Sequence, residues 1–97
     1  MSKETAIDKP KTLPEYLGPI WDETVSQVRE KIGAAGLEAL CLQIHRMRDA
    51  QGRIAKDGAI VLDGKGNAGP HPAVAIEKAA QAEIRSWLKD FGGGRSR

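Results

Sequence analysis

The chain is poor in the residues that build a large core. Four aromatic side chains among 97 residues limit it to one small domain, because a chain of this length buries too little apolar surface for two. A single cysteine, Cys41, excludes an intramolecular disulfide framework and points to a reducing compartment, the cytoplasm. No run approaches the roughly 18 consecutive apolar residues of a membrane span, and Met1-Ser2-Lys3-Glu4 leads into no apolar segment of the signal-peptide type. No membrane partner is expected, and the chain should stay where it is made. Charge of one sign is lacking too. Fifteen Lys and Arg against 13 Asp and Glu leave a net charge of +2, which excludes a strongly basic nucleic-acid coat but leaves room for a local basic patch.

What charge there is sits unevenly. Residues 13–45 carry −3, whereas residues 46–57 carry +2 and residues 85–97 carry +3. The cations of the two basic stretches, with Lys65 between them, are Arg46, Arg48, Arg53, Lys56, Arg85, Lys89, Arg95 and Arg97. Lys and Arg also suit the last turn of a helix through its macrodipole, so these positions read equally as solvated helix ends.

Apolar spacing divides the chain into three helices. Residues 1–12 hold almost nothing apolar except Ile7, too little to offset ordering entropy, and are expected to form a disordered basic arm. Leu17, Ile20, Trp21, Val25, Val28 and Ile32 recur at three- and four-residue steps and predict a first helix, starting at Pro14 with a bend or at Pro19. Gly33-Ala34-Ala35-Gly36 reads as a tight turn between helices. A second helix then runs to about Asp57 with an inward stripe of Leu37, Leu40, Cys41, Ile44, Met47 or Arg48, and Gln51. The β-branched run Ala59-Ile60-Val61-Leu62, followed by Asp63-Gly64-Lys65-Gly66-Asn67, predicts a small hairpin or loop. Pro72 opens a third helix whose inner face is Ile76, Ala80, Ile84, Trp87, Leu88 and Phe91, and Gly92-Gly93-Gly94 ends it. The expected fold is all-α: a helical hairpin plus a C-terminal helix over residues 13–92, a short β-hairpin or loop before the last helix, and a flexible basic tail over 93–97.

Catalytic and metal chemistry find no team. Cys41 and His45 stand four residues apart, but a zinc site needs three or four protein ligands and only His71 remains. An apolar helical face raises a thiol pKa, so Cys41 reads as a small core residue and not as a nucleophile. Gly64-Lys65-Gly66-Asn67 lacks the spacing of a phosphate-binding loop and reads as a turn, with Lys65 able to meet a phosphate as a point charge. No carboxylate pair is joined by a histidine, so no enzyme, metal or cofactor is expected. A helix-turn-helix would offer Leu37, Glu38, Ala39 and Leu40 to DNA, an acidic and apolar set that a phosphate-lined groove repels.

Three stretches together resemble the small subunit of tailed-phage terminases. They are Leu13-Pro14-Glu15-Tyr16-Leu17-Gly18-Pro19-Ile20-Trp21-Asp22-Glu23, then Gly36-Leu37-Glu38-Ala39-Leu40-Cys41 through His45-Arg46-Met47-Arg48-Asp49-Ala50, and the most specific, Lys65-Gly66-Asn67-Ala68-Gly69-Pro70-His71-Pro72-Ala73-Val74-Ala75-Ile76 with Ala80, Glu83-Ile84-Arg85 and Phe91-Gly92. The resemblance implies a non-catalytic protein that binds double-stranded viral DNA, closes into a ring of identical copies, and delivers the DNA to a large subunit bearing ATPase and nuclease in the infected bacterial cytoplasm. On that reading the nine cations named above are phosphate contacts. Two rivals stand beside it: a dimeric helix-turn-helix regulator, and a helical adaptor that binds only protein through the Trp21 or Trp87 face. Relatives usually continue beyond Phe-Gly through a Leu and a Pro, whereas here Gly93-Gly94-Arg95-Ser96-Arg97 follows.

Overall fold

The computed structural model describes residues 7–93. Residues 1–6 of the expected arm and residues 94–97 of the expected tail, with Arg95 and Arg97, lie outside the described residues. The elements are α1 (Gly18–Thr24), α2 (Gly33–Asp57), β1 (Ile60–Leu62), β2 (Ala68–Pro70) and α3 (Pro72–Phe91), with short 3-10 turns at Glu15–Leu17, Val25–Gln27 and Glu30–Ile32. The fold is all-α with a two-stranded antiparallel hairpin before the last helix, as the apolar spacing predicts. None of the described helices is long and apolar enough to cross a membrane.

The first helix is shorter than its periodicity predicts. Pro19 sits in the first turn of α1, where its missing N–H is no loss. After Gln27 the chain turns extended at Val28, with φ −124° and ψ 157°. The cause is a tertiary contact: Val28 bridges Gly92 antiparallel, and the Arg29 N–H donates to the Phe91 carbonyl at 2.7 Å. Leu17, Ile20, Trp21, Val28 and Ile32 are nonetheless all buried, so the spacing names the right residues while the backbone between them changes form.

Gly33 to Gly36 is likewise not a turn but the first turn of α2. The reversal happens one step earlier, through the turn at Glu30–Ile32 and the left-handed φ of +74° at Gly33. Gly36 is helical, and its missing side chain serves packing. A Cβ there would lie 2.9 Å from Ile32 Cγ1 and 3.3 Å from Trp87 Cζ3.

Helix α2 is apolar on two sides, one more than a single stripe describes. Leu37, Leu40 and Cys41, with Ile44 beside them, close the core formed by Leu17, Ile20, Trp21, Val28 and Ile32. The second side recurs at alternating four- and three-residue steps, Gly36, Leu40, Gln43, Met47, Ala50 and Ile54, which is the heptad seam of paired helices. On α3 the matching series is Ala73, Glu77, Ala80, Ile84, Trp87 and Phe91. The helices run antiparallel, with Gly36 against Trp87 at one end and Asp57 bonded to His71 at the other. This seam corrects both expected stripes. Gln51 is exposed, as are Ile76 and Leu88, while Ala50 and Ala73 are buried in their stead.

The hairpin of α2 and α3 outruns the core. Its far half is held by Ala50, Ala73 and Ala80, all buried, with no α1 beside them. The molecule accordingly measures 58 × 28 × 18 Å with a radius of gyration of 16.5 Å, against about 12–13 Å for a globule of this length. At the near end, half-buried Ile7 and Leu13 pack against the core and Lys9 pairs with Asp22 at 2.8 Å.

Because the seam closes over a bare backbone at Gly36, Gly36→Val should wedge Trp87 and Ile32 apart and destabilise the fold by about 1–3 kcal/mol. Thermal unfolding measures this; a melting temperature equal to that of the wild type would show that α2 and α3 do not meet there.

Candidate nucleic-acid interface

The cations fall into separate groups once each is placed on its helix. On α2, Arg46 and Arg53 stand seven residues apart and share one side, while Arg48 projects from the side that carries α1. Arg48 Nη2 meets Glu23 Oε1 on α1 at 3.0 Å, and Arg53 Nε meets Asp49 Oδ2 at 3.1 Å one turn earlier. Both pairs are exposed on each partner, and such pairs contribute about 0.2–1 kcal/mol. A phosphate can therefore replace either carboxylate at little cost. Lys56 lies exposed in the last turn of α2, where the helix dipole favours it.

On α3, Arg85 and Lys89 are exposed one turn apart, and Lys78 lies two turns before Arg85 on the same side. Lys78 is absent from the sequence-derived set because it falls in a segment of net negative charge. Its signal was the seven-residue spacing to Arg85, which counting charge by segment does not register. The acids of α3 go elsewhere. Glu83 and Asp90 share the opposite flank with Ile76, and Glu77 sits half-buried in the seam, 3.5 Å from Gln81. Lys78, Arg85 and Lys89 thus form a stripe that no acid of α3 interrupts, and they make no salt bridge among the described residues.

The two stripes point apart. With right-handed helices packed antiparallel, Arg46 and Arg53 emerge on the face of the hairpin that also carries Glu83 and Asp90. Lys78, Arg85 and Lys89 emerge on the other face. One rigid duplex cannot touch both stripes of one chain.

Lys65 stands at the distal tip, in the turn between β1 and β2. The Asp63 carboxylate organises this turn, accepting from the Lys65 N–H at 2.8 Å and the Asn67 N–H at 2.9 Å, while Gly66 supplies a φ of +85°. These bonds, that from Asn67 first, hold the Asp63 carboxyl below its ordinary range. His71 fixes the hairpin to the helices. Its Nδ1 accepts from the Ala73 N–H at 2.9 Å and caps α3, so the proton lies on Nε2, which donates to Asp57 Oδ2 at 3.0 Å.

Cys41 and His45 do not come together as ligands. Cys41 is fully buried, and burial, with the Glu38 carboxylate adding to it, pushes its thiol up to about 11. His45 packs against Tyr16, with ring centroids 4.6 Å apart and ring planes tilted by 57°. No group of three or more His, Cys, Asp or Glu residues able to hold a metal occurs among the described residues.

Two outcomes follow from these ionisations. Cys41 should resist a thiol reagent at neutral pH in the folded chain and react fully in denaturant; rapid labelling of folded protein would place the residue at the surface. The Asp63 turn has a depressed folded-state value, so its contribution holds above the ordinary carboxylate range and disappears only as pH falls below it. In an NMR titration the Lys65 and Asn67 amides should shift with a midpoint under about 3.9, and a midpoint above that would mean these hydrogen bonds are absent.

The family model described as phage terminase, small subunit, matches residues 20–92, from α1 to the end of α3. No curated protein and no solved structure matches the chain. The match takes in the seam, the hairpin and the described cations of both stripes, and the chain belongs to the phage terminase small-subunit family, a family of phage DNA packaging.

Proposed function

We propose that this chain binds double-stranded phage DNA through phosphate contacts, closes into a ring of identical copies, and presents the DNA to the terminase large subunit in the cytoplasm of the infected host. The family match over residues 20–92 carries this reading. The family is generally non-catalytic, so the ATPase and nuclease belong to the large subunit.

The electrostatics support a division of labour between the stripes. Lys78, Arg85 and Lys89 lead in DNA binding, because their side of α3 is free of that helix's acids and a polyanion meets no repulsion from them. Arg46, Arg53 and Lys56 lie near acids and serve as secondary phosphate contacts, together with Arg48, Lys65, Arg95 and Arg97. Three leading cations give a single chain a weak grip. Repeated around a ring they add up, giving salt-dependent and largely sequence-independent binding.

The alternative, a dimeric helix-turn-helix regulator, requires the start of α2 to enter a groove. Leu37 and Leu40 are fully buried there and Gly36 lies under Trp87, so the face left to that helix end is Ala35, Glu38 and Ala39, which holds an acid and no cation for a phosphate-lined groove.

Fluorescence anisotropy with a duplex of arbitrary sequence tests the assignment. Replacing Lys78, Arg85 and Lys89 by Ala should weaken binding and flatten the plot of log affinity against log salt by nearly one for each phosphate left without its cation. The Arg46→Ala, Arg53→Ala pair should flatten it less. An unchanged slope in the α3 triple variant, with assembly intact, would overturn the placement of DNA on that face.

A further inference from the structure

The β-hairpin has two edges that differ in chemistry. The His71 N–H donates to the Ala59 carbonyl at 2.8 Å, and the Asp63 N–H donates to the Asn67 carbonyl at 2.9 Å. Ladder alternation then turns the Val61 backbone groups inward to Gly69, its register partner, and the N–H and C=O of Ile60 and Leu62 outward. On β2 the outward positions are Ala68 and Pro70, and Pro70 has no N–H to give. That edge is guarded. The β1 edge carries no proline, no charge and no bulge, and its Ile60 and Leu62 side chains are 64% and 70% exposed. Such an edge is a template for another strand, and a two-stranded ribbon alone is marginal in water.

We propose that the β1 edge is a strand-pairing site between copies of this chain, with β1 of a second copy as its occupant. The hydrogen-bonding pattern of the edge selects that occupant. The outward groups are self-complementary: antiparallel pairing about a two-fold axis at Val61 sets Ile60 opposite the partner's Leu62 and Leu62 opposite the partner's Ile60. Each pair exchanges two hydrogen bonds, four in all. The flanks of β1 do not oppose it, because each sets a cation beside an anion, Lys56 with Asp57 and Asp63 with Lys65, and carries no net charge. The result is a four-stranded sheet whose Ile60, Leu62, Ala68 and Pro70 side chains form one continuous apolar face. A two-fold contact of this kind does not propagate a ring; it joins two chains, or two rings tip to tip. It does not rest on the DNA-binding reading.

A cysteine scan combined with light scattering tests the joint on the full chain. Val61→Cys places two thiols at a non-hydrogen-bonded cross-strand position, where the side chains approach closely enough for a disulfide. Under mild oxidation it should form a covalent dimer much faster than Ala75→Cys, an exposed control on α3. Leu62→Pro removes one outward N–H and leaves the hairpin's own ladder intact, as Pro70 does on β2, and should halve the molar mass while the amide signals of Asp63 and Asn67 stay in place. Crosslinking at position 61 no faster than at position 75 overturns the proposal, and so does a molar mass unchanged by Leu62→Pro.

Discussion

The pairing of α2 with α3 is the constraint on which the other features depend. A two-helix hairpin cannot bury a broad apolar stripe, because each helix has only one neighbour over most of its length. It buries a narrow seam instead, with four- and three-residue steps, and that seam decides which side chains are left outside. Near the core, α1 and the turn before it cover the other apolar side of α2, that of Leu37 and Cys41, with Trp21 and Leu17. Beyond it the fully buried seam residues are the alanines Ala50, Ala73 and Ala80, with Met47, Ile54 and Glu77 half-buried between them, and small side chains let the backbones approach without a third layer. Much of what the molecule offers a partner, from Ile76 to the β1 edge, lies on that uncovered half.

The existence of the elements was legible in the sequence, and their junctions were not. Trp21, Leu37, Leu40 and Cys41 declared themselves by periodicity and are core residues. The break at Val28 was invisible because its cause, the bridge to Gly92, joins residues far apart in the chain. Gly36 was misread because a glycine needed for close approach and a glycine needed for a turn look alike in sequence. The assignments of Ile76 and Leu88 to the inner face failed for a subtler reason. A helical wheel assigns apolar residues to one wide stripe, whereas a lone antiparallel partner selects a narrower set that includes Ala73 and the half-buried Glu77.

The distribution of charge follows from the same geometry. Fixing the seam fixes the outward faces of α3, and its cations and acids then separate to opposite flanks. Counting charge by segment finds Arg85 and Lys89, which lie near the end of the chain, but averages Lys78 away among Glu77 and Glu83. On α2 the opposite occurs: a segment of net positive charge turns out to hold Arg48 and Arg53 in ion pairs. Net charge along the chain is therefore a poor guide to the potential on a face, and a helix's angular arrangement is a better one.

With so few unpaired cations on any face among the described residues, the proposed DNA binding requires many copies acting together, so assembly is the claim on which the functional reading stands. Static light scattering of the purified protein tests it most directly. The account predicts a molar mass corresponding to more than two chains. A mass of one or two chains at every concentration would contradict it.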